Sequence, residues 1–238
     1  MRFLVSVFAL LCSISFANGQ SSFTVARAME NPDRPTQDKE RDSSRRAPEV
    51  LQFMGVERGD TALDIIAMGG WYTEVLSYAV GDSGKVYMHN NLIPITERST
   101  DERAERSSRL NNVEDYIGPI SGLPANSIDY AMTALNFHDV YNRSAADANS
   151  FLLGIKSVLK PGGVLGIIDH KGTYGADNAT LHRIAFEDMV KAVLDAGFTL
   201  VAASDLLANS EDDHTLAPFD PSLERRTDRL LLKFQKPM

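Results

Sequence analysis

Apolar and polar positions along the chain follow two alternating patterns. Short runs rich in β-branched and aliphatic residues occur at 61–66, 85–88, 113–117, 127–135, 164–168, 198–203 and 230–234, each bounded by Gly, Pro, Asn or Asp. That length and those boundaries predict seven strands. Between them lie stretches with helical spacing. Residues 71–80 end at Gly81, and a helix carrying Ala148, Phe151, Leu152, Ile155, Val158 and Leu159 is opened by a Ser144/Asp147 capping box. Residues 180–196 are expected to be helical up to Gly197, and residues 96–110 carry charge on nearly every face and predict a surface helix. Strands that alternate with helices, followed by two closing strands, imply a mostly parallel sheet with helices on both faces and one antiparallel strand near the C-terminus. The expected class is α/β, Rossmann-like and seven-stranded. The fifth strand is continuously apolar, as a strand covered on both faces should be.

The N-terminal pattern is different. Arg2, an apolar run over 3–16 and the small residues Ala17-Asn18-Gly19 read as a signal peptide over residues 1–19, which predicts a periplasmic or secreted protein. Its apolar run is too short for a membrane span, so none is expected in the mature form. Residues 20–47, with Pro32, Pro35 and a charged helix near 36–42, are expected to form a helical arm. A single domain over 48–238 should follow, opened by a helix that starts at Pro48.

Composition narrows the functional classes. A net charge of −8 gives the chain no general attraction to nucleic acid or anionic lipid. The one cysteine, Cys12, lies in the expected signal peptide, so the mature chain needs neither a disulfide nor a thiolate-bound zinc. Nothing in the pattern fixes an oligomeric state. A small-molecule ligand is the remaining expectation, in the crevice at the carboxyl edge of the sheet.

The stretch Thr61-Ala62-Leu63-Asp64-Ile65-Ile66-Ala67-Met68-Gly69-Gly70-Trp71-Tyr72-Thr73-Glu74 is central to that expectation. It reads as a buried strand, a small-residue turn and a helix that begins near Trp71, placing free N–H groups beside a ligand. Trp71 and Tyr72 are suited either to stack on a ligand ring or to staple the helix to the core. All five histidines fall at or beyond predicted strand ends: His89, His138, His170, His182 and His214. In a parallel open sheet such ends converge on one edge. His138 with Asp139, Asp169 with His170, and His182 form the tightest set, able to supply a base with an orienting carboxylate. The same imidazoles and carboxylates are also plausible ligands for zinc, iron or manganese, although no H-x-x-x-H or H-E-x-x-H spacing is present.

With these pieces placed, the sequence resembles the class I S-adenosylmethionine-dependent methyltransferase superfamily. It is similar to a group of exported bacterial predicted methyltransferases. The residues that carry the likeness are Asp64 with Gly69-Gly70-Trp71-Tyr72-Thr73-Glu74, Lys160-Pro161-Gly162-Gly163, Asp169-His170 with His182-Arg183-Ile184, and Thr227-Asp228-Arg229. The resemblance implies S-adenosylmethionine as cofactor. It implies that Asp64, Gly69, Gly70, Trp71, Tyr72 and Thr73 form the cofactor turn and that His89 and Asn90 stand where the ribose is usually held. From the convergence of strand ends, His138, Asp139, Asp169, His170 and His182 are expected to carry catalysis, with His170 or His138 as base and Asn136 as the amide that positions cofactor or substrate. In the superfamily's D-x-G-x-G-x-G loop the first two glycine positions are here Ile66 and Met68, whose side chains should narrow the approach and disfavour positive φ. Three functions compete: an exported methyltransferase acting on a small molecule or envelope component, a metal-assisted or acid–base enzyme on the same scaffold, and a non-catalytic binding protein.

Overall fold

The structure, a computed structural model, describes residues 24–238. The expected signal peptide, with Cys12, lies outside them. The arm comprises helix α1 (24–29) and the short helices α2 (Thr36–Lys39) and α3 (Asp42–Arg45); α4 (Ala47–Met54) follows. The alternation is then β1 (Thr61–Ile65), α5 (Trp71–Val80), β2 (Lys85–His89), α6 (Glu97–Arg109), β3 (Val113–Tyr116), β4 (Ile128–Ala134), α7 (Phe137–Tyr141) and α8 (Ala145–Val158). The chain closes with β5 (Leu159–Gly172), β6 (Ile184–Ala185), α9 (Phe186–Asp195), β7 (Thr199–Ala203) and β8 (Arg229–Gln235).

The sheet order is β3-β2-β1-β4-β5-β8-β7. β1 to β5 run parallel, and β8 runs antiparallel to both β5 and β7. Side-chain alternation splits the core in two. Leu63, Ile65, Ala131, Leu165 and Ile167 pack with residues of α8 and α9, whereas Ala62, Tyr130, Met132 and Ile168 pack with residues of α4 and α5. The arm joins the second layer through Val25 and Met29. Its burial of apolar surface makes it part of the domain's core.

Three details depart from the sequence pattern. Residues 180–196 do not form one helix: turns lead into β6, which extends the sheet edge by pairing Lys171 with Ile184, and only then does α9 begin. The sheet therefore has an eighth, two-residue strand. Lys160-Pro161-Gly162-Gly163 sits inside β5, whose pairing starts at Leu159 opposite Ile128 and shifts register before Tyr130. The charged helix α6 is not simply a surface helix, because Arg103 and Arg106 are buried. Among the described residues no helix is long and apolar enough to cross a membrane.

Candidate functional site

The turn between β1 and α5 takes the left-handed shape that its side chains should disfavour. Ile66 has φ 57°, Met68 φ 53° and Gly70 φ 79°. Each non-glycine left-handed residue costs about 1–2 kcal/mol, so the surroundings must hold it. Met68 is clamped by Asn90, whose Oδ1 accepts from its N–H at 2.8 Å and whose Nδ2 donates to its carbonyl at 3.2 Å. The Ile66 side chain is packed in the core, and its carbonyl accepts from Asn136 Nδ2 at 3.2 Å. Gly70 has no such freedom to change, since a Cβ there would lie 2.4 Å from Met88 Sδ. The two asparagines thus secure the loop backbone, and Asn90's amide is already engaged where a ribose contact was expected.

Asp64 ends β1 almost completely buried, accepting from Thr73 Oγ1 at 2.7 Å. Burial pushes its carboxyl up to about 6, against the lowering effect of the Thr73 hydrogen bonds. Above the turn lies a cleft of about 570 Å³, a volume suited to a nucleotide-sized ligand. Its walls include Asp64, the loop from Ile66 to Gly69, Trp71 and Tyr72, and the β4 end from Ala134 to Asn136. Ile66 and Met68 therefore line the cleft without filling it. Trp71 and Tyr72 meet edge to face, and the Arg45 guanidinium lies over both rings, 4.5 and 5.3 Å from their centroids. His89 is set apart: it is fully buried, faces the Gly118 carbonyl at 3.0 Å through Nε2 and is pushed down to about 4 by burial.

The far wall is built at the end of β5. The Asp169 carboxylate accepts the His138 N–H at 2.7 Å, lies 2.6 Å from His138 Nδ1 and accepts the His170 N–H at 2.8 Å. His138, in the first turn of α7, sits with its ring 5.8 Å from that of His170 and 5.9 Å from that of His182. Asp139 Oδ1 is 3.3 Å from both His138 Nε2 and His182 Nδ1. His138, Asp139, Asp169, His170 and His182 are thus brought together, with His170 on the cleft wall and His182 packed against the cleft-lining Phe219. His214 lies apart from that cluster, paired with Asp228 at 2.9 Å.

Electrostatics separates the two expected bases. Burial opposes charge on His138, but Asp169 and Asp139 outweigh it and raise the ring to about 10. His170 is pushed down to about 2 by burial, then by the charges of His138, Arg229, Arg183 and Arg225. Thr227 Oγ1 accepts from Arg229 Nε at 3.3 Å, so its hydroxyl proton is free to go to His170 Nδ1, 2.7 Å away. That leaves the His170 proton on Nε2. Neither ring is poised as a base near neutral pH: one is charged and the other is a neutral donor.

No family model matches the sequence. Solved structures align over most of the chain: a SAM-dependent methyltransferase from Aquifex aeolicus at 22% identity, TM-score 0.60, covering 85% of this chain and 98% of that one. The cyclase SpnF aligns at 16% identity, TM-score 0.61, covering 95% and 96%.

The chain has the class I methyltransferase fold.

Among curated proteins, a demethylmenaquinone methyltransferase from Staphylococcus aureus is 32% identical over 118 residues, 49% of this chain and 45% of that protein. The chain thus spans about half the length of the curated relatives it matches. On this methyltransferase fold the cleft lies at the carboxyl ends of β1 and β4, the crevice position of open α/β sheets.

Arg45 was not visible in the sequence as a site residue. Arg45 from the arm and Arg225 and Arg229 from the C-terminal segment line the cleft, and among the described residues none has a carboxylate partner. Arg183 is wholly buried in a paired contact with Asp212, 2.9 Å for each nitrogen. Asp212 is correspondingly buried. The one available signal was the Thr227-Asp228-Arg229 triplet, which supplies the His170 partner, the His214 partner and a cleft cation.

Proposed function

We propose that this protein transfers a methyl group from S-adenosylmethionine to a small acidic molecule bound in the cleft. The observation that carries the reading is the β1–α5 turn, which keeps the left-handed backbone at Ile66, Met68 and Gly70 beside an open cleft even though two of the three are not glycine. When bound, the cofactor supplies an activated methyl group; the residues of this chain do the positioning. Asp64 lies buried beneath the turn, and Asn90 and Asn136 hold the loop. The relatives' names support the transfer chemistry.

The substrate class follows from the cations that line the cleft without a carboxylate partner among the described residues. These are Arg45 on the turn side and Arg225 and Arg229 of the C-terminal segment, and His170 offers a donor nitrogen. Such a lining favours an acceptor that carries its own negative charge, such as a phenolate, an enolate or a carboxylate. That acceptor needs no histidine to remove its proton, because the arginines favour its ionised form. The apolar run over 3–16 supports export of the protein, with the cofactor delivered to it or used before export.

Calorimetry with S-adenosylmethionine and S-adenosylhomocysteine tests the reading: saturable binding on the order of micromolar is expected. Transfer to phenolic and carboxylic acceptors should then fall on the order of 10- to 100-fold in His170→Ala through lost positioning. Failure of both cofactor forms to bind would end the proposal.

A further inference from the structure

We propose that His138, Asp139 and His182 form a binding site for one divalent transition-metal ion of the zinc class. The three side chains each present one ligand atom, all within 4.8 Å of one another. Two edges of that triangle are measured directly: His138 Nε2 and His182 Nδ1 each lie 3.3 Å from Asp139 Oδ1. Ligand arms of about 2.1 Å meeting at a tetrahedral angle have ends roughly 3.4 Å apart, so both edges already have the spacing that a bound zinc requires. Two imidazoles and a carboxylate suit zinc or ferrous iron and discriminate against magnesium and calcium, which prefer oxygen ligands.

Two further observations point to a ligand. His138 Nε2 is buried in a side chain only 3% exposed and makes no hydrogen bond of good geometry; it faces the Asp139 carboxylate at 3.3 Å, the same oxygen that faces His182. A buried polar nitrogen costs free energy unless something satisfies it. The opposite nitrogen, Nδ1, is held by Asp169 at 2.6 Å, and Asp169 is itself fixed by two backbone N–H groups. This is the carboxylate–histidine relay that orients a metal-binding imidazole and presents its other nitrogen. His182 adds a strained backbone, φ 49°, at a non-glycine residue, which turns its ring over Asp139. The site is closed on its inner side by His138 and reaches solvent through Asp139 and His182, whose side chains are 33% and 47% exposed. Positions for water or a substrate oxygen therefore remain on the outer side, beside the cleft-lining Phe219.

The site does not depend on methyl transfer, so zinc should bind without any cofactor, and failure of either proposal leaves the other standing. The full chain, stripped with a chelator, is titrated with Zn²⁺ by calorimetry, with bound metal measured by elemental analysis. One zinc per chain is expected, with no comparable binding of Mg²⁺. His182→Ala and Asp139→Ala change exposed or half-buried positions, keep the fold by circular dichroism and should weaken zinc binding by more than about 100-fold, whereas His214→Ala leaves it unchanged. Asp169→Asn should weaken it by about 10- to 100-fold. The proposal is overturned if zinc fails to bind with defined stoichiometry, or if folded His182→Ala and Asp139→Ala bind it as well as the parent chain.

Discussion

Two buried carboxylates organise opposite walls of the cleft, and they do so differently. Glu74 on α5 is encircled: it accepts from Tyr78 Oη at 2.5 Å, from Arg106 Nε at 3.1 Å and from both terminal nitrogens of Arg109 at 2.8 and 2.9 Å. Arg106 continues outward to the Gly69 carbonyl and to Asp38 of the arm. Burial opposes its charge, but Arg109, Tyr78 and Arg106 hold the Glu74 carboxyl down to about 2. Asp169 on β5 instead gathers two backbone N–H groups and one imidazole, whose other nitrogen faces the half-exposed Asp139 at 3.3 Å. The first arrangement faces inward and fastens the arm, α5, α6 and the turn. The second reaches, through its imidazole, a His/Asp cluster whose other two members are half exposed, where a ligand can be held.

Breaking the closed hub should have the largest effect. Glu74→Ala strands several guanidiniums and should cost about 3–5 kcal/mol in urea unfolding. A loss below 1 kcal/mol would mean that the ring of arginines is solvated and the contrast with Asp169 is unfounded.

Next comes pH dependence, on the order of 3 kcal/mol for each of two groups shifted in opposite directions. The folded-state value of Glu74 is depressed, so its contribution is present above its unfolded value of about 4.5 and is lost as pH falls toward about 2. That of Asp64 is raised, so stability is greatest below its unfolded value near 3.8 and declines as pH rises through about 6. Asp64→Asn should therefore flatten the stability profile between about pH 4 and 7 while leaving the acid limb intact. An unchanged slope in that window would show that Asp64 ionises freely.

Asp169→Asn should cost less than loss of the closed hub, about 1–3 kcal/mol, because the amide keeps one acceptor oxygen. Equal losses at Glu74 and Asp169 would erase the distinction between the two walls. The smallest effect is expected at His182→Ala, within about 0.5 kcal/mol in thermal or urea unfolding, since the side chain is half exposed and its ring contacts are with His138 and the exposed Phe219. A large loss there would recast His182 as structural.

What the sequence revealed and what it concealed follow from range. The strands were legible because their apolar runs are local, and Ser144 indeed caps α8 by accepting from the Asp147 N–H. The Asp64–Gly70 turn and the meeting of His138, Asp169, His170 and His182 followed from strand ends converging on one edge. The left-handed Ile66 and Met68 were hidden, because the clamps that tolerate them come from Asn90 and Asn136, 22 and 70 residues away. The same reason hid the buried arginines of α6: its charges look solvated until Asp38, Glu74 and Asp115 are folded against them. Residues 180–196 misled because β6 exists only as an edge pair with β5.

The placement of β8 between β5 and β7 also constrains the order of assembly. β8 follows β7 in sequence yet occupies the slot between β5 and β7, so β7 has no neighbour to join until β8 emerges. The amino-terminal half of the sheet can zip during synthesis, while the carboxyl-terminal half must wait for an insertion between distant partners, a slow step. A chain held open by that late insertion stays threadable for longer than one whose strands dock in sequence order.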